Sequence, residues 1–534
     1  MKIKYISIIS LLVLAGCTKL DQSLNDSFSG TSTNSDVASL LNAAYNSMNG
    51  VLHSQDRLFS LQETTSDEAL IPTRGGDWDD NGVWRVLHAH TWTTIHTQFK
   101  GVFNDLGGVQ SSATAVLAFK PSATQAAEAL FIRTLAQFYT LDLYGQVPYR
   151  PVTEYNSLEP ARVLAPAEAI DTMLATLNAI IPVLPASNSP YKASPDAAKF
   201  LKMKILLNKG AFLSKGNATT APSAPVFDDA DMQQVVTIGQ ELISGGKYSL
   251  TASYFDNFGP TNATKGKEAI LAWPNSGASQ NNNINSGGIN ARWMMTLHYN
   301  SWDVKNGSAG WNGFSTMADF YNTFGANDTR VGGQPYPGVT NISGLKPGFA
   351  VGLQTDSAGK ALKDRQGNPL SFTEDVKLIE IDKNRLEVAG IRVIKYPPDY
   401  SAYDGGNQKN QLQIFRYADV LLMVAEAKLR QAAPDNAGAL ALVNELRAER
   451  GADPMGSITL VNEANVADPN TLLAERGREM YWESWRRQDL IRYNVFLKPW
   501  SLKDADVDPQ KNLLFPIAPD ELLANPNLTQ NPGY

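Results

Sequence analysis

Apolar side chains recur at helical spacing along most of the chain outside its middle third. Asp36 can cap a helix, and the apolar positions from Val37 to Met48 then return every three or four residues. Several later segments of the same kind are flanked by residues that start or end helices. Examples are Ser194 before one such segment and Gly145 after another. The period predicts further helices over 126–144, 167–184, 195–213, 232–243, 414–429, 437–450 and 471–485. The pattern therefore predicts a mainly α protein.

Several of the predicted helices follow one another as adjacent pairs, with roughly 15 residues in each element. Such pairs are the unit of helical-repeat architectures such as tetratricopeptide arrays. The repeat consensus itself is degenerate, so the prediction rests on the length and order of the elements. We expect a scaffold of tetratricopeptide-like helix pairs, with an N-terminal helical region over 36–252 and a second helical part over 414–500.

The helical period fades over 253–413, which is rich in Gly, Asn, Ser and aromatic residues. Long loops inside a compact domain are usually functional or disordered. The Trp and Tyr residues scattered through this segment favour order. We therefore expect long loops and short strands that cover the helical scaffold and form a ligand-binding side, with 501–534 as a C-terminal tail of the same 253–534 region.

The N-terminus has the pattern of a lipoprotein signal. Lys2 and Lys4 precede an apolar run over 6–14, which is shorter than the roughly 20 residues that span a bilayer. The next residues, Leu-Ala-Gly-Cys at 14–17, match a lipobox. We expect a signal peptide over 1–16, lipid on Cys17 and a flexible tether over 17–35. A plain signal peptide with an incidental cysteine is the alternative.

Composition narrows the functions that the chain can have. Cys17 is the only cysteine, so once it carries lipid no disulfide, cysteine-zinc site or thiol nucleophile is available. The net charge of −7 argues against nucleic-acid binding, which is typically accompanied by an excess of basic residues. Hydrophobic residues make up 43% of the chain and charged residues 19%, which argues against disorder.

An ordered set of short motifs resembles the SusD/RagB family of lipoproteins. In the N-terminal half the resemblance lies in SDE at 66–68, RGGDW at 74–78, EALFIR at 128–133 and LYGQVP at 143–148. It continues with RYADVLL at 416–422, NELR at 444–447, ERGRE at 475–479, WRRQDLIR at 485–492, FPIAP at 515–519 and NPNLTQNPGY at 525–534. The set covers nearly the whole mature chain. Ser484, where the family commonly has Gly, and Ala518, where it has Ile or Pro, depart from the pattern.

The resemblance implies a fold and a function. SusD-like proteins are largely helical, with tetratricopeptide-like pairs toward the transporter and the ligand on the loop-rich side. They lie as lids over a SusC-like TonB-dependent transporter at the outer face of the outer membrane. They bind oligosaccharides, or peptides in some branches, and are not enzymes. For this chain the resemblance implies polysaccharide utilisation: glycan uptake by a lipid-anchored carbohydrate-binding protein.

Two stretches have the side chains that sugar binding needs. A sugar ring has an apolar C–H face and a rim of hydroxyls, so its site combines flat aromatic groups with amides, carboxylates or guanidinium groups. SusD-like glycan binders use a Trp with an Asn three positions later, and Trp78 and Asn81 have this spacing. We expect Trp78→Ala to weaken ligand binding without unfolding the protein. The candidate ligand-binding residues are Arg74, Trp78, Asn81, Trp84, Trp293, Tyr299, Trp302 and Trp311.

Core packing is the alternative for each of these aromatic residues, because Trp is highly buried on average. We assign four other tryptophans to the core, namely Trp92, Trp273, Trp482 and Trp485. We assign structural roles to His88, His90 and His96, and ion-paired packing to Glu426, Arg447, Arg476, Glu479, Arg486 and Asp489.

No metal or cofactor is expected. The acidic groups Asp77, Asp79 and Asp80, and Asp504, Asp506 and Asp508, resemble calcium ligands only loosely, because the full EF-hand pattern is absent. A solvated loop is the favoured interpretation of both groups, with an incidental Ca²⁺ left open. No GxSxG, Walker or dinucleotide motif is present in the sequence.

The leading hypothesis is a surface lipoprotein that captures oligosaccharides and delivers them to a SusC-like transporter. A surface glycoside hydrolase, a helical scaffold that binds only protein and a peptide-binding member of the family are the alternatives. Paired acids could serve a hydrolase, but a chain with 53 acidic residues offers many such pairs. The aromatic, Asn-rich loops favour a ligand-binding surface.

Overall fold

The computed structural model describes residues 34–187, 189–217, 220–275, 289, 291–299, 310–337, 344–398 and 409–534. Cys17, the predicted tether up to residue 33 and Trp302 lie outside these residues. The N-terminal helices are α1 Asn34–His53, α2 Ser60–Glu63, α3 Arg85–His88, α4 Thr97–Ala118, α5 Ala123–Tyr144, α6 Pro166–Ile180, α7 Pro195–Ser214 and α8 Asp229–Ser244. The later helices are α9 Asn262–Lys265, α10 Ala291–Met294, α11 Ala318–Tyr321, α12 Tyr417–Arg430, α13 Asn436–Glu449, α14 Leu472–Met480, α15 Arg486–Arg492 and α16 Pro519–Ala524.

The strands are short, and each pairs with one partner strand. They are β1 Thr73–Arg74, β2 Val147–Tyr149, β3 Arg162–Leu164, β4 Ala269–Trp273, β5 Gly348–Ala350, β6 Gly352–Leu353, β7 Ser371–Phe372, β8 Ile379–Glu380, β9 Arg392–Ile394 and β10 Leu412–Arg416. The β1–β8 pair is parallel, and the β2–β3, β4–β10, β5–β9 and β6–β7 pairs are antiparallel. The expectation of a mainly α fold with short strands and long loops is confirmed.

Local sequence explains where the long helices begin and end. The Ser122 side chain accepts a hydrogen bond from the Gln125 backbone N–H, and the Gln125 side chain accepts one from the Ser122 backbone N–H. This reciprocal capping box begins α5. Gly145 ends α5 in the left-handed region at φ 68°. The Ser194 side chain caps α7 by accepting a hydrogen bond from the Ala197 backbone N–H, ahead of Pro195. The sequence pattern correctly predicted the ends at Ser194 and Gly145, whereas α5 begins three residues before its predicted start at residue 126.

The large helices pack on their neighbours in chain order. Helix α1 packs on α4, α4 on α5, α5 on α6, α6 on α7, α7 on α8, α8 on α12 and α12 on α13. Their apolar faces form one continuous core. Within the described residues, no helix is both long enough and apolar enough to cross a bilayer.

Two predicted helices differ from the structure. Ile414 lies in β10, where it continues a buried strand paired with β4, and α12 begins only at Tyr417. The predicted helix over 471–485 is broken after Met480, because Trp482 and Ser484 have positive φ of 57° and 69°. This conformation favours glycine, yet Ser484 adopts it at φ 69°.

Two buried glutamates hold the broken segment in place. Glu63 accepts a hydrogen bond from the Ser484 backbone N–H, and Glu68 accepts one from the Trp482 N–H at 3.3 Å. Burial raises the pKa of Glu63 to about 7, and burial together with Glu63 raises the pKa of Glu68. Burial therefore favours the protonated form of both carboxyl groups in the folded protein.

Charged side chains predicted to pair on the C-terminal helices do so in the interior. Glu479 lies among Arg330, Arg416 and Arg450, with nitrogen–oxygen distances of 3.1, 2.6 and 3.0 Å. The pKa of Glu479 falls well below its usual range because these guanidinium groups outweigh its burial. The prediction of ion-paired packing is confirmed for Glu426, Arg447, Arg476, Glu479, Arg486 and Asp489.

The aromatic and histidine residues assigned to packing are also buried. The four tryptophans are at most 3% exposed, and His88 and His90 are 0% and 5% exposed. His88 hydrogen-bonds to the carbonyl oxygens of Ala69 and Ser501. The tryptophans predicted to lie in the core are Trp92, Trp273, Trp482 and Trp485.

Candidate functional site

The first candidate stretch forms a tight turn that presents Trp78. The backbones of Arg74 and Asp77 pair through two hydrogen bonds of 2.9 and 3.1 Å. Trp78, Asp80 and Asn81 then have positive φ of 59°, 38° and 56°. This run of left-handed residues reverses the chain, so that Trp78 points toward the second candidate stretch.

The Trp78 side chain contacts the second stretch directly. Its Nε1 donates a hydrogen bond of 2.7 Å to the carbonyl oxygen of Trp311. Its ring meets Trp84 and Phe314 edge to face, with centroids 5.8 and 5.7 Å apart. A Cβ atom on Gly313 would lie 2.5 Å from Cε2 of Trp78, so the indole packs directly against the backbone of Gly313. Trp78 is therefore half-buried and fixed in position.

Tyr299 is half-buried and belongs to the same surface. Its hydroxyl donates a hydrogen bond to Asp77, and the guanidinium carbon of Arg365 lies 3.9 Å from its ring centroid. Arg365 and Asp77 are 53% and 49% exposed, and Arg365 Nη2 lies 3.7 Å from Asp77 Oδ2. Burial and the contact with Asp77 raise the pKa of Tyr299 to about 12, so its hydroxyl stays protonated at neutral pH.

A histidine and a glutamate support this surface from below. Glu387 Oε2 lies 2.6 Å from His298 Nε2, and Glu387 Oε1 accepts a 2.6 Å hydrogen bond from Arg365 Nε. Burial lowers the pKa of His298 to about 4. Burial acts to raise the pKa of Glu387, but hydrogen bonds from Arg365 outweigh it and leave that pKa lowered. Neutral His298 and ionised Glu387 thus fix the guanidinium over Tyr299.

Arg74 and Arg392 lie deeper and brace the loops that form the surface. Arg74 donates to the Ala389 carbonyl oxygen at 2.8 Å and to Ser315 Oγ at 2.9 Å. Arg392 donates to Asn312 Oδ1 at 2.7 Å. Burial lowers the pKa of Arg74 to about 9. These contacts tie the first candidate stretch to the segments around 312–315 and 386–392.

The structure separates the candidate residues into three groups. Arg74, Trp84 and Trp293 are buried, at 2%, 6% and 0% exposure, so in this structure they support the surface from within. Asn81 is exposed. Trp302 lies outside the described residues. The structure brings together at one surface Trp78, Tyr299 and Trp311, all of them half-buried.

Sequence reasoning missed the polar partners of this surface. Arg365 and Glu387 come from a segment with few aromatic residues. The Asp364–Asn368 turn around Arg365 suggests only a surface position. Nothing in the local sequence indicates that Arg365 lies over Tyr299, because the contact depends on the long-range path of the loops.

The acidic groups considered for calcium serve other contacts. Asp506 lies 2.9 Å from His90 and 2.6 Å from Lys503, and its side chain is 4% exposed. The interpretation of this residue as part of a solvated loop was therefore wrong, because Asp506 is a buried ion-pair partner. Among the described residues, no group of three or more His, Cys, Asp or Glu side chains is placed to hold a metal ion.

Comparison with known proteins gives a consistent result. The SusD-like protein P2 of Formosa agariphila is 24% identical and matches across 100% of both chains. The starch-binding protein SusD of Bacteroides thetaiotaomicron is 23% identical over 89% of this chain and 85% of that protein. The structure of surface glycan-binding protein A from B. thetaiotaomicron in complex with laminarihexaose has the same fold, with a TM-score of 0.68 and 17% identity over 94% of this chain and 100% of that one.

The family model of the SusD family matches residues 241–534 of this chain. The match covers more than half of the chain and includes the loops that carry Tyr299, Trp311 and Arg365, together with helices α12 to α16. The chain therefore belongs to the SusD family.

Proposed function

We propose that the protein binds oligosaccharides at the surface formed by Trp78, Tyr299 and Trp311 with Asp77 and Arg365, hereafter the aromatic surface. One observation carries the proposal. Two aromatic stretches more than 200 residues apart meet through the Trp78–Trp311 hydrogen bond, beside an exposed carboxylate and guanidinium. Aromatic faces suit the C–H face of a sugar ring, and the charged rim suits its hydroxyls.

The relatives support a carbohydrate ligand. One similar protein is named as starch-binding, and one protein of the same fold is in complex with laminarihexaose. Both names refer to glucose polymers, whose rings have the alternating apolar and hydroxylated surfaces described above. We accordingly propose a neutral glycan as the first ligand class to test.

Binding without hydrolysis fits the chemistry of Glu387, the carboxylate that lies beneath the aromatic surface. A glycosidase needs one carboxylic acid with a raised pKa to protonate the leaving group. The pKa of Glu387 is lowered instead, and both of its oxygens are engaged by His298 and Arg365. Glu387 is thus suited to hold the rim in place, and the proposal assigns it no catalytic role.

We further propose that the protein is anchored by lipid at Cys17 to the outer membrane, faces the exterior and passes its ligand to a SusC-like TonB-dependent transporter. The lipobox and the SusD family membership support this proposal. Cys17→Ala is expected to move the protein from the membrane fraction to the soluble fraction. Retention of this variant in the membrane would contradict the anchor, and repeated failure to recover a transporter by detergent co-purification would contradict the partner.

One incubation distinguishes the competing functions. Purified protein is mixed with laminarihexaose or maltohexaose, and both binding and the length of the oligosaccharide are followed. Saturable binding with no change in length supports glycan capture. Shorter products would support a hydrolase, and the absence of both binding and products would support a scaffold that binds only protein.

A further inference from the structure

A small cavity lies between helices α4 and α5 and strand β2, in the N-terminal helical region. Its volume is about 170 Å³. It has no lining residue in common with the aromatic surface. The side chains that matter for its chemistry are Gln110, Arg133, Gln137, Tyr149, Arg150 and Tyr155.

Two buried donors of α5 face this cavity without a protein partner. Arg133 is 7% exposed, and its Nη1 has no hydrogen-bond partner among the described residues. Gln137 is 2% exposed, and its Nε2 likewise has none in that part of the chain. The two residues are four positions apart, so they lie on the same face of the helix. Both side chains line the cavity.

The charge of the cavity is positive and uncompensated. Arg133 and Arg150 are among its lining residues, and no Asp or Glu is found among the described residues that line it. Arg150 donates to backbone carbonyl oxygens, the nearer being that of Glu159 at 2.6 Å. By contrast, Arg162, just outside the cavity, is paired with Glu168 at 2.7 Å.

A buried guanidinium without an anionic partner is costly, and buried polar groups almost always find partners. The planar guanidinium donates two parallel hydrogen bonds to a carboxylate, which makes it the best match to this anion. The Gln137 amide adds a third donor. We propose that the cavity binds the carboxylate of a small sugar acid, with Arg133 as its main anchor.

Size and shape agree with a single ring. Pockets for drug-sized ligands begin at about 300 Å³, and this cavity is smaller. Tyr149 forms one wall, with the guanidinium carbon of Arg133 5.1 Å from its ring centroid. Tyr155 also lines the cavity. Aromatic walls beside a guanidinium suit a ring that has an apolar face and one carboxylate.

The test measures binding of D-glucuronate, D-glucose and inorganic phosphate to the full chain by titration calorimetry. D-Glucuronate is expected to bind, and D-glucose, which lacks the carboxylate, is expected to bind at least tenfold more weakly. Arg133→Gln is expected to weaken glucuronate binding at least tenfold. The matched control is Arg162→Gln, which removes the same charge near the same tyrosine and is expected to change affinity less than twofold.

Arg133→Gln is expected to fold normally, because Nη1 of Arg133 has no partner among the described residues. If Arg133→Gln does not fold, Gln137→Leu provides the second test and is expected to weaken glucuronate binding about threefold or more. Equal affinity for glucuronate and glucose, unchanged affinity in the α5 variant that folds, or tighter binding of phosphate than of glucuronate would each overturn the proposal. The inference does not depend on glycan capture at the aromatic surface, so the two can fail separately.

Discussion

The indole Nε1 of Trp78 donates a 2.7 Å hydrogen bond to the carbonyl oxygen of Trp311, 233 positions further along the chain. This contact joins the turn after β1 to the loop that follows α10. Asp77, which precedes Trp78 in the chain, accepts a hydrogen bond from the Tyr299 hydroxyl. Tyr299 is thereby tied to the same turn as Trp78. The aromatic surface thus exists only when both loops are folded together.

Replacing Trp78 tests how far the surface depends on this contact. Trp78→Ala removes the edge-to-face contacts with Trp84 and Phe314 and leaves a cavity against Gly313. The free energy of unfolding is expected to fall by about 3 kcal/mol, measured by urea denaturation. Trp78→Phe keeps most of the packing and loses the hydrogen bond, so a loss of about 1 kcal/mol is expected. Equal stability of both variants and the parent would contradict the packing described here.

Gly313 tests the close approach of backbone and indole. A Cβ at this position would lie 2.5 and 2.6 Å from two ring atoms of Trp78 and 2.9 Å from the Met295 carbonyl oxygen. Gly313→Ala is therefore expected to cost about 1–3 kcal/mol of stability. The control is Gly76→Ala, where nothing lies within 4 Å of the added atom and the expected change is below about 0.5 kcal/mol.

A double variant separates the two contacts of Gly313. If the clash with Trp78 dominates, Gly313→Ala will cost much less in the Trp78→Ala background than in the parent. Equal costs in both backgrounds would assign the strain to the Met295 carbonyl and would contradict the proposed role of the glycine in seating the indole.

The buried Glu63–Glu68 pair predicts an unusual pH dependence of stability. The pKa of Glu63 is near 7 in the folded protein, above the roughly 4.5 expected when unfolded. Between pH 4.5 and pH 7 the folded protein therefore binds more protons at Glu63 than the unfolded chain does. The contribution of Glu63 to the free energy of unfolding is fully present below about pH 4.5 and is lost as the pH rises toward 7. The loss is on the order of 3 kcal/mol, measured by denaturation at a series of pH values.

Glu63→Gln provides the comparison for this effect. The amide keeps an oxygen to accept the Ser484 N–H, but it does not titrate. As the pH rises from 4.5 to 7, the free energy of unfolding of the parent is expected to fall relative to that of the variant. A difference that stays constant over this range would mean that burial does not raise the pKa of Glu63.

Much of the helical scaffold could be predicted from the sequence, because helix caps and apolar faces are local signals. Ser122, Ser194 and Gly145 lie at the ends of helices, where such residues are expected. Helix α4 went unpredicted because Gly101, Gly107 and Gly108 weaken its local preference for helix. Its place between α1 and α5 in the core overrides that preference.

The candidate site was predictable only in part. The aromatic and polar composition indicated both stretches of the surface, but not which rings would be exposed. Trp293 and Tyr299 are six residues apart, yet one is buried in the core and the other lies at the surface. That difference arises from tertiary packing, because Trp293 belongs to the main core whereas Tyr299 lies under Arg365, which is paired with Glu387, and neither contact has a signature in the local sequence.

A glycan array probed with the parent protein and with Tyr299→Ala is the decisive measurement of glycan capture. Tyr299 is half-buried at the rim of the aromatic surface, so its removal leaves the Trp78 packing in place. We expect saturable binding of the parent to at least one oligosaccharide class and at least tenfold weaker binding of the variant, with both proteins folded. Binding that is equal in the two proteins, or absent from the parent across the array, would contradict it.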